Sequence, residues 1–132
     1  MQSDILIADD EEQIRELLAE VLTDVGYRVR VANDGESALA AVQEHTPALI
    51  LLDNMMPGLT GLDVVRSLRA QGLDRLPIIM MSAATSAQRV IQAGATDFLS
   101  KPFVLDDVLD CIERYVGAAR LNTVKRAGSE RA

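Results

Sequence analysis

The sequence predicts an α/β domain: a doubly wound, five-stranded parallel sheet with helices on both faces. Three observations carry this. Short apolar runs alternate five times with segments of helical period, and such alternation implies a parallel sheet joined by right-handed helical crossovers. Residues 48–53 (ALILLD) and 77–82 (PIIMMS) lack polar alternation, as expected of central strands covered on both faces. Finally, four of the five runs lead into residues able to do chemistry: Asp9 and Asp10, Asp53, Ser82, and Lys101.

In chain order, residues 4–9 (DILIAD) form the first strand and turn acidic at Asp9, Asp10, Glu11 and Glu12. Ile14, Leu17, Leu18, Val21, Leu22 and Val25 then share one helix face, and Gly26 stops that helix. Residues 27–32 (YRVRVA) alternate, predicting a strand with Val29 and Val31 inward and Arg28 and Arg30 outward. Asn33-Asp34-Gly35 makes a turn or cap before a helix over 36–44, which buries Ala38, Leu39 and Val42; Pro47 ends the connection. The central strand, 48–53, closes on Asp53. A helix over 61–70 points Leu62, Val65 and Leu68 inward, and 71–76 is a loop. The fourth strand, 77–82, ends on the Ser82 hydroxyl. A short, poorly defined helix over 83–94 and a fifth strand over 95–99 lead to Ser100-Lys101-Pro102-Phe103. Leu105, Val108, Leu109, Ile112, Tyr115 and Val116 make the last amphipathic helix, its start capped or charge-favoured by Asp106 and Asp107. The pattern then fades, giving one domain over 1–117 and a basic, flexible tail over 118–132.

The 132 residues suffice for one domain, and 48% apolar with 25% charged residues is globular composition. The apolar runs are too short to span a membrane. The N-terminus has no basic region or small-residue cleavage site, so no secretion signal is expected. The single cysteine, Cys111, excludes an internal disulfide and fits a cytoplasmic location. Net charge is −7; the tail, with four bases against one acid, carries +3 of this, leaving −10 on residues 1–117. That argues against nucleic-acid binding by the body of the domain. Lys101 is the sole lysine of that body.

In a doubly wound sheet, ligands bind beyond the carboxyl ends of the strands. Three carboxylates, a hydroxyl and an ammonium converge on that edge. Clustered carboxylates repel one another and favour a hard divalent cation; Mg²⁺, with Mn²⁺ an acceptable substitute, takes oxygen ligands and bridges to phosphate. A metal on Asp10 and Asp53 would draw a phosphoryl group to Asp53, which attacks as a carboxylate nucleophile. Lys101 supplies a cation for the phosphoryl oxygens, and Ser82 a hydroxyl donor. A cis Lys101–Pro102 bond would aim the lysine inward. Taken singly, each residue has a blander reading: an acidic helix start, a turn hydroxyl, a surface loop. Met55, Met56, Met80 and Met81 read as core filler, Cys111 as a half-buried helix residue, and His45 as a helix-end residue. It is the coincidence of these residues at matching strand ends that points to a site.

These residues carry a resemblance. Ile5-Leu6-Ile7-Ala8-Asp9-Asp10-Glu11, then Asp53-Asn54-Met55-Met56-Pro57 with Gly61, then Ser82-Ala83, then Ala93-Gly94-Ala95-Thr96-Asp97-Phe98-Leu99-Ser100-Lys101-Pro102-Phe103 stand in the order of a response-regulator receiver domain of two-component signalling. The chain resembles that family over about residues 4–116. The resemblance implies the flavodoxin-like strand order 2-1-3-4-5 and phosphorylation of Asp53 by a histidine kinase or phosphotransfer protein. It implies that Mg²⁺ is held by Asp9, Asp10, Asp53 and the Met55 backbone carbonyl, that Ser82 and Lys101 contact the phosphoryl group, and that Phe98 is the aromatic switch residue. The chain would then be a signalling switch, a monomer or weak dimer with an unknown output partner, and not a turnover enzyme.

There are departures from the family pattern. The segment from Ser82 to Ala93 is about three residues short, close to one helical turn, so the fourth helix is expected to be stunted. Phe98 stands where tyrosine is more frequent. Met55 and Ala84 occupy the positions that influence acyl-phosphate hydrolysis, and neither orients a water, so slow autodephosphorylation is expected. Two arrangements fit: a stand-alone regulator or phosphorelay intermediate, or a receiver from a larger regulator, with the tail as linker to an effector. An aspartyl-phosphate phosphatase of the dehalogenase type is a distant alternative, since Met55 stands where that class needs a second acid. A flavodoxin is discarded because the acids after the first strand would repel FMN phosphate.

Overall fold

The computed structural model describes residues 3–83 and 86–117. The expected tail and Ala84 lie outside the described residues. Among the described residues five strands and five helices alternate: β1 (Asp4–Ala8), α1 (Glu12–Val25), β2 (Arg28–Ala32), α2 (Gly35–Glu44), β3 (Leu49–Asp53), α3 (Gly61–Ala70), β4 (Ile78–Ser82), α4 (Ala87–Gln92), β5 (Asp97–Ser100) and α5 (Leu105–Ile112), which runs into a π-helical turn, Glu113–Gly117. All strand pairs are parallel, in the order β2-β1-β3-β4-β5.

The two-faced strands explain two cores. Successive side chains of a strand point to opposite faces. Leu6, Ala8, Ile50, Leu52, Ile78 and Met80 pack on one face against residues such as Val42, Val64, Val65, Leu68 and Val90 of α2, α3 and α4. Ile5, Ile7, Leu49, Leu51, Ile79 and Met81 pack on the other against Leu18 and Leu22 of α1 and Val108 and Ile112 of α5. Every residue of β1, β3 and β4 is buried. Burying a large aliphatic side chain stabilises a fold by roughly 1.5–3 kcal/mol, so these three strands are the main contributors to both cores.

The alternation in β2 reads differently in three dimensions. Val31 is 52% exposed, while Arg30 is partly buried and donates to the Asp4 carboxylate at 2.7 Å and to the carbonyls of Ala41 and His45. The cause is position. β2 is an edge strand with one neighbour, and the buried Asp4 carboxylate on β1 needs a cation. A long arginine on the next strand supplies it.

Local sequence sets the helix ends. Asp34 caps α2 by accepting from Ser37 N–H at 2.7 Å. Thr60 and Asp63 form a reciprocal capping box at α3. α4 has six residues and is capped by Ser86. At α5 no side chain caps the start, so Asp106 and Asp107 act there through their charge on the helix dipole. Arg69 fastens the end opposite the strand carboxyl edge. Its guanidinium donates to the carbonyls of Leu73, Leu76 and Gly94 and to the Thr96 hydroxyl, joining α3 to the turns around β4 and β5.

Candidate functional site

Three strand ends meet at one cleft. β1 delivers Asp9 and Asp10, β3 delivers Asp53, and the turn after β5 delivers Lys101. Asp9, Asp10 and Asp53 each offer an oxygen within 4.8 Å of the others. Asp9 is fully buried and Asp53 nearly so, whereas Asp10 is exposed. The Lys101 side chain is 12% exposed, and its Nζ lies 3.2 Å from Asp9 Oδ2, 3.4 Å from Asp53 Oδ1 and 2.9 Å from Glu11 Oε1. The Lys101–Pro102 peptide is cis, as expected from the sequence. Asp10, Glu11, Asp53, Met55, Ala83 and Lys101 line a cleft of about 310 Å³. A second, apolar groove of about 500 Å³ adjoins it, shares Glu11, Ala83 and Lys101, and adds Ile14, Leu17, Pro102 and Phe103.

Backbone geometry fixes the acceptor strand. The Asn54 side chain accepts from Leu62 N–H at 3.0 Å, and its carbonyl accepts from Gly61 N–H at 3.1 Å. The 54–60 loop is thereby folded back onto the end of β3. Gly61 makes that approach, since a Cβ there would stand 2.6 Å from the Asp53 carbonyl oxygen and 2.8 Å from Asn54 Cα. On the other side, Glu11 N–H donates to Asp9 Oδ1 at 2.9 Å, and the Arg15 guanidinium donates to the Asp9 carbonyl at 2.9 Å.

The electrostatics follow from burial. Burial, reinforced by the charge of Asp9, pushes the Asp53 carboxyl from 3.8 up to about 6; Lys101 and the Met55 N–H oppose this. Burial alone would depress Lys101, but Glu11, Asp53 and Asp9 together outweigh it and hold its pKa above the usual lysine value. The cluster fits a hard divalent cation. Its ligand atoms are carboxylate oxygens, two of the three groups are shielded from water, and the nearby Lys101 ammonium is already paired with Asp9, Glu11 and Asp53.

Among the other expected site residues, Ser82 is buried at the end of β4, and its carbonyl accepts from Lys101 N–H at 3.1 Å. Phe98 pairs with Met80 across the sheet and packs, partly buried, on the α2–α4 side, away from the cleft lining. Met55 lines the cleft and is 59% exposed, so it is not core filler; Met56, Met80 and Met81 are buried as expected. Cys111 is 4% exposed. Its burial and the charge of Asp97 push the thiol up to about 11, which leaves it unreactive at neutral pH. The sequence reading missed Glu11 as the partner of Lys101, together with Arg15 and Asn54. Asn54 did carry a signal: a short amide at a strand end hydrogen-bonds nearby backbone readily. The Asp97 carboxylate, which accepts from Tyr115 O–H at 2.7 Å and from Arg114 at 3.2 Å, carried none.

A parallel 2-1-3-4-5 sheet with three carboxylates and a lysine on its ligand edge defines the receiver class of α/β domains. The chain belongs to the response regulator receiver domain family, whose model matches residues 5–113. Among curated proteins it is similar to the response regulator MprA of Mycobacterium leprae, 46% identical over 108 residues, which are 80% of this chain and 47% of that protein. The chain spans about half the length of the curated relatives it matches. Among solved structures it is similar to the Vibrio cholerae chemotaxis protein CheY4 (TM-score 0.82, 34% identity, 88% of this chain and 100% of that one). It is also similar to NtrX from Brucella abortus (TM-score 0.81, 37% identity, 100% of this chain and 30% of that one). Receiver domains of this family act in two-component signalling and interact with histidine kinases or phosphotransfer partners. Among the described residues, no helix is long and apolar enough to cross a membrane.

Proposed function

We propose that this domain is a phosphoacceptor switch, loaded on Asp53 by a phosphohistidine donor. The observation that carries the reading is the Lys101 ammonium, 3.4 Å from Asp53 Oδ1 within a buried carboxylate cluster. An Asp53 oxygen attacks phosphorus; the new O–P bond forms as the P–N bond of the donor breaks, and that electron pair stays on the imidazole nitrogen, which takes up a proton. Lys101 neutralises charge on the phosphoryl oxygens as the group arrives. The Ser82 hydroxyl moves in to donate to one of them, and Phe98 responds to that movement. Asp9, Asp10, Asp53 and the Met55 carbonyl would hold Mg²⁺, which supplies the remaining positive charge. The apolar groove beside the cleft is where a donor protein would rest, since it shares Lys101 and Glu11 with the reacting site.

The domain acts as a switch rather than a turnover enzyme, working in the cytoplasm either alone or as the receiver of a longer regulator. Its phosphoryl group biases an existing equilibrium between two arrangements and so changes partner binding. Incubation with Mg²⁺ and acetyl phosphate, followed by intact mass, tests the assignment. The native chain is expected to gain one phosphoryl group and Asp53→Asn none; equal labelling of the variant would overturn it. The Met55 thioether at the cleft offers no group to orient a hydrolytic water. The isolated phosphoprotein is therefore expected to lose its label over minutes or longer in a pulse-chase, and loss within seconds would refute that part.

A further inference from the structure

Glu11 has no part in the reaction just described, yet among the described residues it makes the shortest of the three ion pairs of Lys101: 2.9 Å, against 3.2 Å to Asp9 and 3.4 Å to Asp53. Its side chain is 57% exposed, where those of Asp9 and Asp53 are 0% and 3% exposed. It also lines both the phosphoryl cleft and the adjoining groove. An ammonium has three N–H donors, and three carboxylates already surround this one. A phosphoryl group reaching Lys101 must therefore displace one of them. Asp53 is the atom donor of the new bond, and Asp9 has no route to solvent. Glu11 alone can swing into water on its longer stem without leaving a buried charge unpaired.

We propose that Glu11 is a placeholder anion. It holds Lys101 over the cleft while Asp53 is unmodified and is expelled when the phosphoryl group arrives. This rests on the phosphoacceptor reading of Asp53. Glu11 is thus a positioning residue whose carboxylate competes with the incoming phosphoryl group, so its charge slows loading by anionic donors. Its backbone N–H, which orients Asp9 at 2.9 Å, is unaffected by substitution of the side chain.

The test compares the native chain, Glu11→Gln and Asp53→Asn with Mg²⁺, using acetyl phosphate and the less negatively charged donor phosphoramidate. At low ionic strength Glu11→Gln is expected to load from acetyl phosphate roughly threefold to tenfold faster than native, the effect of removing one screened charge a few ångströms from the reacting group. The advantage is expected to shrink at about 0.5 M salt, as screening demands, and to be smaller with phosphoramidate. A structural effect of the substitution would not follow salt and donor charge in this way. Native-like or slower loading of Glu11→Gln from acetyl phosphate, or a gain indifferent to salt, overturns the proposal. Labelling of Asp53→Asn equal to native would instead overturn the phosphoacceptor reading itself.

Discussion

At neutral pH the Asp53 carboxylate sits in a place that disfavours its charge: its side chain is 3% exposed, and Asp9 stands beside it. Because its pKa rises from 3.8 to about 6 on folding, the folded chain binds this proton more tightly than the unfolded chain. Stability therefore falls as pH rises through that window, and the full penalty persists above it. About two pKa units correspond to an upper bound of ~3 kcal/mol. Asp53→Asn, which never ionises, is expected to be more stable than native by roughly 1–3 kcal/mol at pH 7.5 without divalent cations. The gain should vanish near pH 3.5, where both side chains are neutral. Urea melts at the two pH values measure it; an equal gain at both would mean that the charge of Asp53 is not its source. A carboxylate that destabilises its own fold while lining a cleft supports the proposed role of Asp53 in taking a cation or phosphoryl group.

At the scale of elements, the site depends on how closely α3 approaches the end of β3. Gly61 permits that approach, and the atoms a Cβ would strike are backbone, which cannot turn aside. Gly61→Ala is expected to lose about 1–3 kcal/mol in urea melts and to load from acetyl phosphate more slowly, because relief of the clash moves the Asp53 main chain. Unchanged loading would show that the acceptor tolerates the shift. The glycine was legible in the sequence as part of a motif, its reason only in the structure. The central strands were fully legible, since residues such as Ile50 and Ile79 are apolar on both faces and only a covered parallel sheet accepts that. So was the stunted α4, from a segment about one turn shorter than the family resemblance implies. The pairing of Arg30 with Asp4, the four bonds of Arg69 and the clip between Asp97 and Tyr115 were not legible. Apart from the shorter-range bonds of Arg69 to Leu73 and Leu76, these contacts reach across 18 to 27 positions of sequence, and no local pattern encodes such a meeting. Glu11 was hidden for another reason: an acid at a helix start has a sufficient local explanation in the dipole, which masks its contact with Lys101, 90 residues away.

Over the whole molecule, one edge of the sheet gathers negative charge that the fold itself does not neutralise. Asp9, Asp10 and Asp53 cluster there, and among the described residues Lys101 is the cation paired with Asp9, Asp53 and Glu11, in a chain of net charge −7. Such an arrangement makes global stability depend on what occupies the cleft. A ligand that binds only the folded state stabilises it by RT ln(1 + [L]/Kd), or about 2.7 kcal/mol at a hundredfold excess over Kd. Mg²⁺ is thus expected to raise the thermal midpoint of the native domain in proportion to the logarithm of its concentration once above Kd. Sodium chloride at matched ionic strength should do little by comparison, because diffuse screening reaches exposed pairs more than a buried cluster. Asp53→Asn, already relieved of one charge and one ligand, should gain much less. The two perturbations are therefore sub-additive: metal and substitution each remove the same repulsion, so the second removes less than the first. Differential scanning of both proteins with and without Mg²⁺ measures this directly. Equal Mg²⁺ shifts in both would place the cation away from Asp53, and with it the charge neutralisation on which the proposed phosphoryl transfer to that residue depends.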